Sequence, residues 1–75
     1  MKKYRDAAFV ENLRKHVYRY MQINNKKVSD LAKSIGVSRT TLYAYLQGTT
    51  APSAKNLKLL AKELGVEIAD LFKEN

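Results

Sequence analysis

The stretch Val28-Ser29-Asp30-Leu31-Ala32-Lys33-Ser34-Ile35-Gly36-Val37-Ser38-Arg39-Thr40-Thr41-Leu42-Tyr43-Ala44-Tyr45-Leu46-Gln47 decides how this chain folds. Counted from Val28, apolar side chains fall at the fourth, eighth, tenth, fifteenth and eighteenth places, as Leu31, Ile35, Val37, Leu42 and Tyr45. That spacing puts one apolar face on each of two helices meeting at a steep angle. Ala32, at the fifth place, is small enough for the second helix to cross closely, and Gly36, at the ninth, permits a sharp turn because it lacks a Cβ. The pattern predicts a helix over 28–35 that stops at Gly36 in the left-handed conformation. Ser38 then caps a second helix, which ends at Gly48.

On the N-terminal side, Phe9, Val10, Leu13, His16, Val17, Tyr20 and Met21 recur at spacings of three and four. At about 100° per residue they form one continuous face, so residues 6–23 are expected to form an amphipathic helix with Asp6 as its N-cap. His16 lies at the edge of that face, as packing and not as chemistry. On the C-terminal side, residues 49–52 form a loop and Ser53 caps a helix that carries Leu57, Leu59, Leu60, Ala61 and Leu64 and stops at Gly65. A short fifth helix is expected over 68–72. No run alternates apolar and polar residues over strand length. The reading is a compact all-α domain of five helices, one domain over 1–75 with its helix-turn-helix at 28–47.

The corner has a near-copy. Leu31-Ala32-Lys33-Ser34-Ile35-Gly36-Val37 is matched by Leu60-Ala61-Lys62-Glu63-Leu64-Gly65-Val66, and an apolar pair comes after each, Leu42-Tyr43 and Leu71-Phe72. The two corners differ in the residues beyond the glycine. After Gly36 come Ser38, Arg39, Thr40 and Thr41, donors with one guanidinium; after Gly65 come Glu67, Ile68, Ala69 and Asp70, with two carboxylates that phosphate repels. The first corner can face a polyanion, and the second is suited to the core or to another subunit.

Charge supports this division. Fourteen Lys and Arg against seven Asp and Glu give a net charge of +7 on 75 residues. Residues 1–62 hold thirteen of the basic side chains with only Asp6, Glu11 and Asp30, whereas 63–75 hold Lys73 against Glu63, Glu67, Asp70 and Glu74. A basic body with an acidic end is the pattern of a surface that meets a polyanion on one side. There is no cysteine, and one histidine with scattered carboxylates makes no metal cluster. With no paired carboxylates and no phosphate-binding glycine loop either, enzymatic activity, a metal site and a cofactor are not expected. No small-molecule ligand is indicated. A chain this short buries only roughly 60% of its unfolded surface, so packing and capping must supply its stability. No apolar run is long enough to span a bilayer, and no apolar stretch comes after Lys2, Lys3 and Arg5, so a soluble, cytoplasmic protein is expected.

The sequence resembles the phage-repressor and Cro-type helix-turn-helix domains, the lambda-repressor-like or XRE family. The resemblance covers most of the chain, from about Phe9 to Phe72. It rests on Asp30-Leu31-Ala32, Ile35-Gly36-Val37-Ser38, Gly48, Pro52-Ser53, Leu60-Ala61, Leu64-Gly65-Val66 and Leu71-Phe72 together. It implies a bacterial or phage-encoded regulator, acting as a repressor, with its third helix in the major groove of double-stranded DNA. Carried over by position, base reading falls on Ser38, Arg39, Thr40, Tyr43 and Ala44. Arg39 can fork two hydrogen bonds onto a guanine edge, and Thr40 can donate, accept or touch a thymine methyl. Phosphate contacts fall on Lys27, Thr49, Thr50, Ser53 and Lys55, near helix starts whose free N–H groups favour anions. Two departures stand out: Val28 replaces a frequent Gln, and Glu67 replaces the usual Ser or Thr cap before the fifth helix.

Relatives of this type pair so that two recognition helices, about 34 Å apart, match one turn of DNA. A homodimer is therefore implied, with Ile68, Leu71 and Phe72 as its candidate contact; the alternative is that these three close the core. Tyr4, Tyr18 and Tyr43 are further aromatic residues expected outside the core. Two other functions fit the same fold: an antitoxin that binds both DNA and a toxin, and a protein-interaction module that has lost DNA binding. Arg39 and the basic body argue against the second.

Overall fold

A computed structural model describes residues 7–73. The element order is α1 (Ala7–Asn24), α2 (Val28–Ile35), α3 (Arg39–Gln47), α4 (Ala54–Leu64) and a 3₁₀ helix (Ile68–Leu71). No strand occurs among the described residues. The expected Asp6 cap and Tyr4 lie outside them.

Each helix forms for a reason visible locally. The α1 helix ends with Asn25 in the left-handed region at φ 53°, and Lys26 N–H returns to the Met21 carbonyl at 3.0 Å. The α2 helix ends at Gly36, φ 78°, with Gly36 N–H on Lys33 O and Val37 N–H on Ala32 O. This double closure satisfies carbonyls that the helix leaves unpaired. The near-copy closes in the same way: Gly65, φ 75°, donates to Lys62 O and Val66 N–H to Ala61 O. Equivalent letters give equivalent hydrogen bonds.

The core gathers Phe9, Val10, Leu13 and Val17 from α1, Leu31, Ala32 and Ile35 from α2, and Leu42, Tyr45 and Leu46 from α3. Leu57, Leu60 and Ala61 of α4 and Leu71 complete it. Full burial of a Leu stabilises the fold by about 1.5–3 kcal/mol, and Leu13, Leu31, Leu42, Leu60 and Leu71 are all completely enclosed. The α2 helix packs on α3 and α4, while α1 lies across α3, α4 and the 3₁₀ helix. Leu59, Leu64, Tyr20, Met21 and Val37 pack on the core half-buried, and His16 is half-buried at its edge.

The fifth element departs from expectation. In place of an α-helix over 68–72 there is one 3₁₀ turn of four residues, Ile68–Leu71, so the described residues form four α-helices and not five. Only one turn of chain separates the Glu67 cap position from Leu71, whose side chain must enter the core. A tighter ladder spans it, with Asp70 N–H on Glu67 O at 2.9 Å and Phe72 N–H on Ala69 O at 3.1 Å. The Glu67 side chain makes no cap hydrogen bond; instead Asp70 Oδ2 accepts the Glu67 N–H at 2.9 Å. Asn12, buried on α1, donates from Nδ2 to the carbonyls of Asp70 and Lys73 and holds this segment down.

Candidate nucleic-acid interface

Three helix starts and one helix face make up the candidate interface. Leu42, Tyr45 and Leu46 turn inward from α3, so the opposite side of that helix is left in solvent. Arg39, Thr40 and Tyr43 are exposed on it, Tyr43 by 44%. Ala44 is half-buried beside them. Their spacing of one, four and five residues sets them on one stripe. Gln47, one turn beyond Tyr43 and exposed, extends that stripe past Ala44; helical spacing alone is the signal that points to it.

Ser38 has a different task from its neighbours. Its Oγ accepts the Thr41 N–H at 3.0 Å and bonds the Thr41 hydroxyl at 2.9 Å. Its oxygen is thus engaged in capping α3, leaving Arg39 as the first unengaged side chain of the stripe. Arg39 and Lys55 make no ion pair among the described residues.

The loop after α3 presents exposed Thr49 and Thr50. Thr49 Oγ1 donates to Ala44 O at 3.2 Å, which fixes the side chain against the helix end. Ser53 Oγ accepts Asn56 N–H at 3.1 Å, and Asn56 Nδ2 donates to the buried Tyr45 hydroxyl at 3.0 Å. The last of these bonds ties the start of α4 to α3. Neither α3 nor α4 has an acidic residue in its first turn, so their N-terminal dipoles are uncompensated. The α2 start differs: Asp30 Oδ2 already accepts Lys27 N–H at 2.9 Å. Lys27 can therefore offer an anion its exposed side chain but not its backbone amide.

Two polar residues position α3 from a distance, and neither shows in the periodicity of the sequence. Arg14 on α1 donates from Nε to Leu46 O at 2.7 Å, and Asn56 holds Tyr45 as described. On the far side, Tyr20 OH donates to Glu63 Oε2 at 2.6 Å and joins α1 to α4. That bond, with burial and the Glu63 charge, pushes the Tyr20 phenol up to about 12.

The candidate dimer residues are not equivalent. Leu71 is completely buried and belongs to the core, so it has no surface to give a second subunit. Ile68 is half-buried against the core. Phe72 is 40% exposed, with its ring stacked on Phe9 at a centroid distance of 4.9 Å. Tyr18 and Ile23 are exposed on α1. No group of metal-ligating side chains occurs among the described residues, and no helix there is long and apolar enough to cross a membrane.

Comparison with known proteins bears on the same elements. A family model described as Helix-turn-helix matches residues 17–71. The chain is similar to an uncharacterized HTH-type transcriptional regulator of Methanocaldococcus jannaschii, 43% identical over 53 residues, which are 71% of this chain and 80% of that protein. It is also similar to the cryptic phage CTXphi transcriptional repressor RstR of Vibrio cholerae, 39% identical over 46 residues. That match takes in 61% of this chain but 41% of RstR, so the chain spans less than half the length of that repressor. No solved structure matches the chain.

Proposed function

The chain belongs to the helix-turn-helix family of DNA-binding transcription regulators, and on that premise we propose that it represses transcription by laying α3 in the major groove of an operator. One observation supports this reading most: the stripe of Arg39, Thr40 and Tyr43 stands exposed on a short helix whose other side is locked into the core. A base-reading side chain needs a rigid platform, because a loose one loses the geometry that separates one base edge from another.

In this reading Arg39 addresses a guanine edge, Thr40 and Tyr43 touch adjacent bases or sugars, and Ala44 permits close approach. Ser38 serves by capping the helix that carries them. Lys55, Ser53, Thr49 and Thr50 meet phosphate around the start of α4, and Lys27 does so with its ammonium alone. A homodimer supplies two such helices on one face of DNA, with Phe72 and Ile68 as the contact and Leu71 excluded by burial.

Selection of bound duplexes from a random pool tests the proposal. Enrichment of a common motif with two half-sites about one helical turn apart is expected; recovery of unrelated sequences would contradict it.

A further inference from the structure

The flank of α1 that faces away from α3 opens on a cleft of about 220 Å³. Asn12, Lys15, His16 and Arg19 line it from α1, with Asp70 and Lys73 from the C-terminal segment. Arg14, which reaches α3, and His16, which lines the cleft, lie about 160° apart around the helix axis. The cleft therefore sits across α1 from the end of the stripe assigned to DNA.

Its polar groups are unevenly committed. Asn12 spends its amide on the carbonyls of Asp70 and Lys73. Asp70 accepts Glu67 N–H at Oδ2 and meets Lys73 Nζ at Oδ1, 3.0 Å away. The one carboxylate of the cleft is thus already engaged. Lys15 and Arg19 have no anionic partner among the described residues. Three cations against one carboxylate leave an excess of two positive charges on two elements, with the His16 imidazole between them.

We propose that this cleft binds a small phosphate-bearing ligand, of the size of a phosphate monoester or pyrophosphate. A phosphate monoester carries a charge of about −1.5 to −2 near neutral pH, which matches the excess, and pyrophosphate carries more. A single carboxylate would leave one cation uncompensated. Arg19 can fork two hydrogen bonds onto phosphate oxygens, and Lys15 and Lys73 close on it from either side. The pattern of residues along the chain carries no sign of this ligand, because the cleft exists only where residues 70–73 fold back beside α1.

Titration of the full chain with pyrophosphate at constant ionic strength, followed by ¹⁵N–¹H NMR, tests the site. Saturable shifts are expected at residues 12–19 and 70–73, with chloride producing none. Lys15→Gln with Arg19→Gln should weaken binding about tenfold or more, whereas Lys55→Gln should not. Shifts confined to the start of α4, or an unchanged affinity in the double variant, would overturn the proposal. So would loss of salt-dependent duplex binding in that variant together with no pyrophosphate binding by the parent chain, since these cations would then belong to the DNA backbone.

Discussion

Arg14 Nε donates a hydrogen bond of 2.7 Å to the carbonyl of Leu46, and so the first helix of the chain caps the third. The α3 helix has no basic residue in its own last turn. Cations are favourable at a helix C-terminus, where carbonyls lack partners and the dipole is negative. Arg14 brings that charge from α1 and fixes the far end of the helix that carries Arg39. Replacement Arg14→Ala should cost about 1–2 kcal/mol, at the lower end for a hydrogen bond with one charged partner because the side chain is exposed to solvent. Urea denaturation measures this, and unchanged stability would show that the bond is not formed in solution.

The two near-copy corners give a paired test. Gly36 and Gly65 both have φ near the left-handed value, and a Cβ at either would meet nothing within 4 Å. The penalty for Gly36→Ala and Gly65→Ala is therefore conformational alone, about 1–2 kcal/mol for each. Equal losses in urea denaturation are expected. A much larger loss at one site would mean that the corners are not built alike.

Alkaline pH should weaken the α1–α4 connection. Tyr20 has its phenol raised from 10.0 to about 12, chiefly by donating to Glu63. The fold favours the protonated phenol, so its contribution is complete below pH 10 and is lost as pH rises from 10 towards about 12. The stability advantage of the parent chain over Tyr20→Phe should shrink across that window. A gap that stays constant through it would contradict the assigned bond.

At acid pH the C-terminal segment should loosen. The Asp70 carboxyl is held below its ordinary value, first by the Glu67 N–H and then by Lys73. Its contribution is present above the ordinary carboxylate range and lost as pH falls through and below it. Amide exchange at Glu67 should therefore quicken on acidification relative to Asp70→Asn, after correction for intrinsic rates. Parallel pH profiles in the two chains would exclude this role for the carboxylate.

Much of the fold is legible in the residues themselves, and the reason is local. The helices over 28–35 and 39–47 carry apolar spacing and glycine stops within a few residues of one another, and Ser38 caps the second, so each signal confirms the next. The 3₁₀ turn is less legible, because Ile68, Leu71 and Phe72 suit either helix type and only the short path into the core decides between them. Arg14, Asn12, Asn56 and Tyr20 are illegible in their positioning roles. Three of their partners lie 32, 58 and 43 residues away, at Leu46, Asp70 and Glu63, and no periodicity records such pairs. The exposed stripe from Arg39 to Ala44 is legible as chemistry. Ser38 is legible as a cap from its place before that helix, and its Oγ does accept the Thr41 N–H; only the packing shows that Leu71 is enclosed.

Comparing Arg39→Ala with Lys55→Ala on the selected operator and on every single-base-pair variant of it tests the central claim most directly. If α3 reads bases, Arg39→Ala relaxes discrimination at one position, by about 1–3 kcal/mol, and leaves the others unchanged. Lys55→Ala should then weaken all sequences alike and lower the salt slope by about one. Two variants that weaken every sequence by the same factor would contradict base reading by the exposed face of α3.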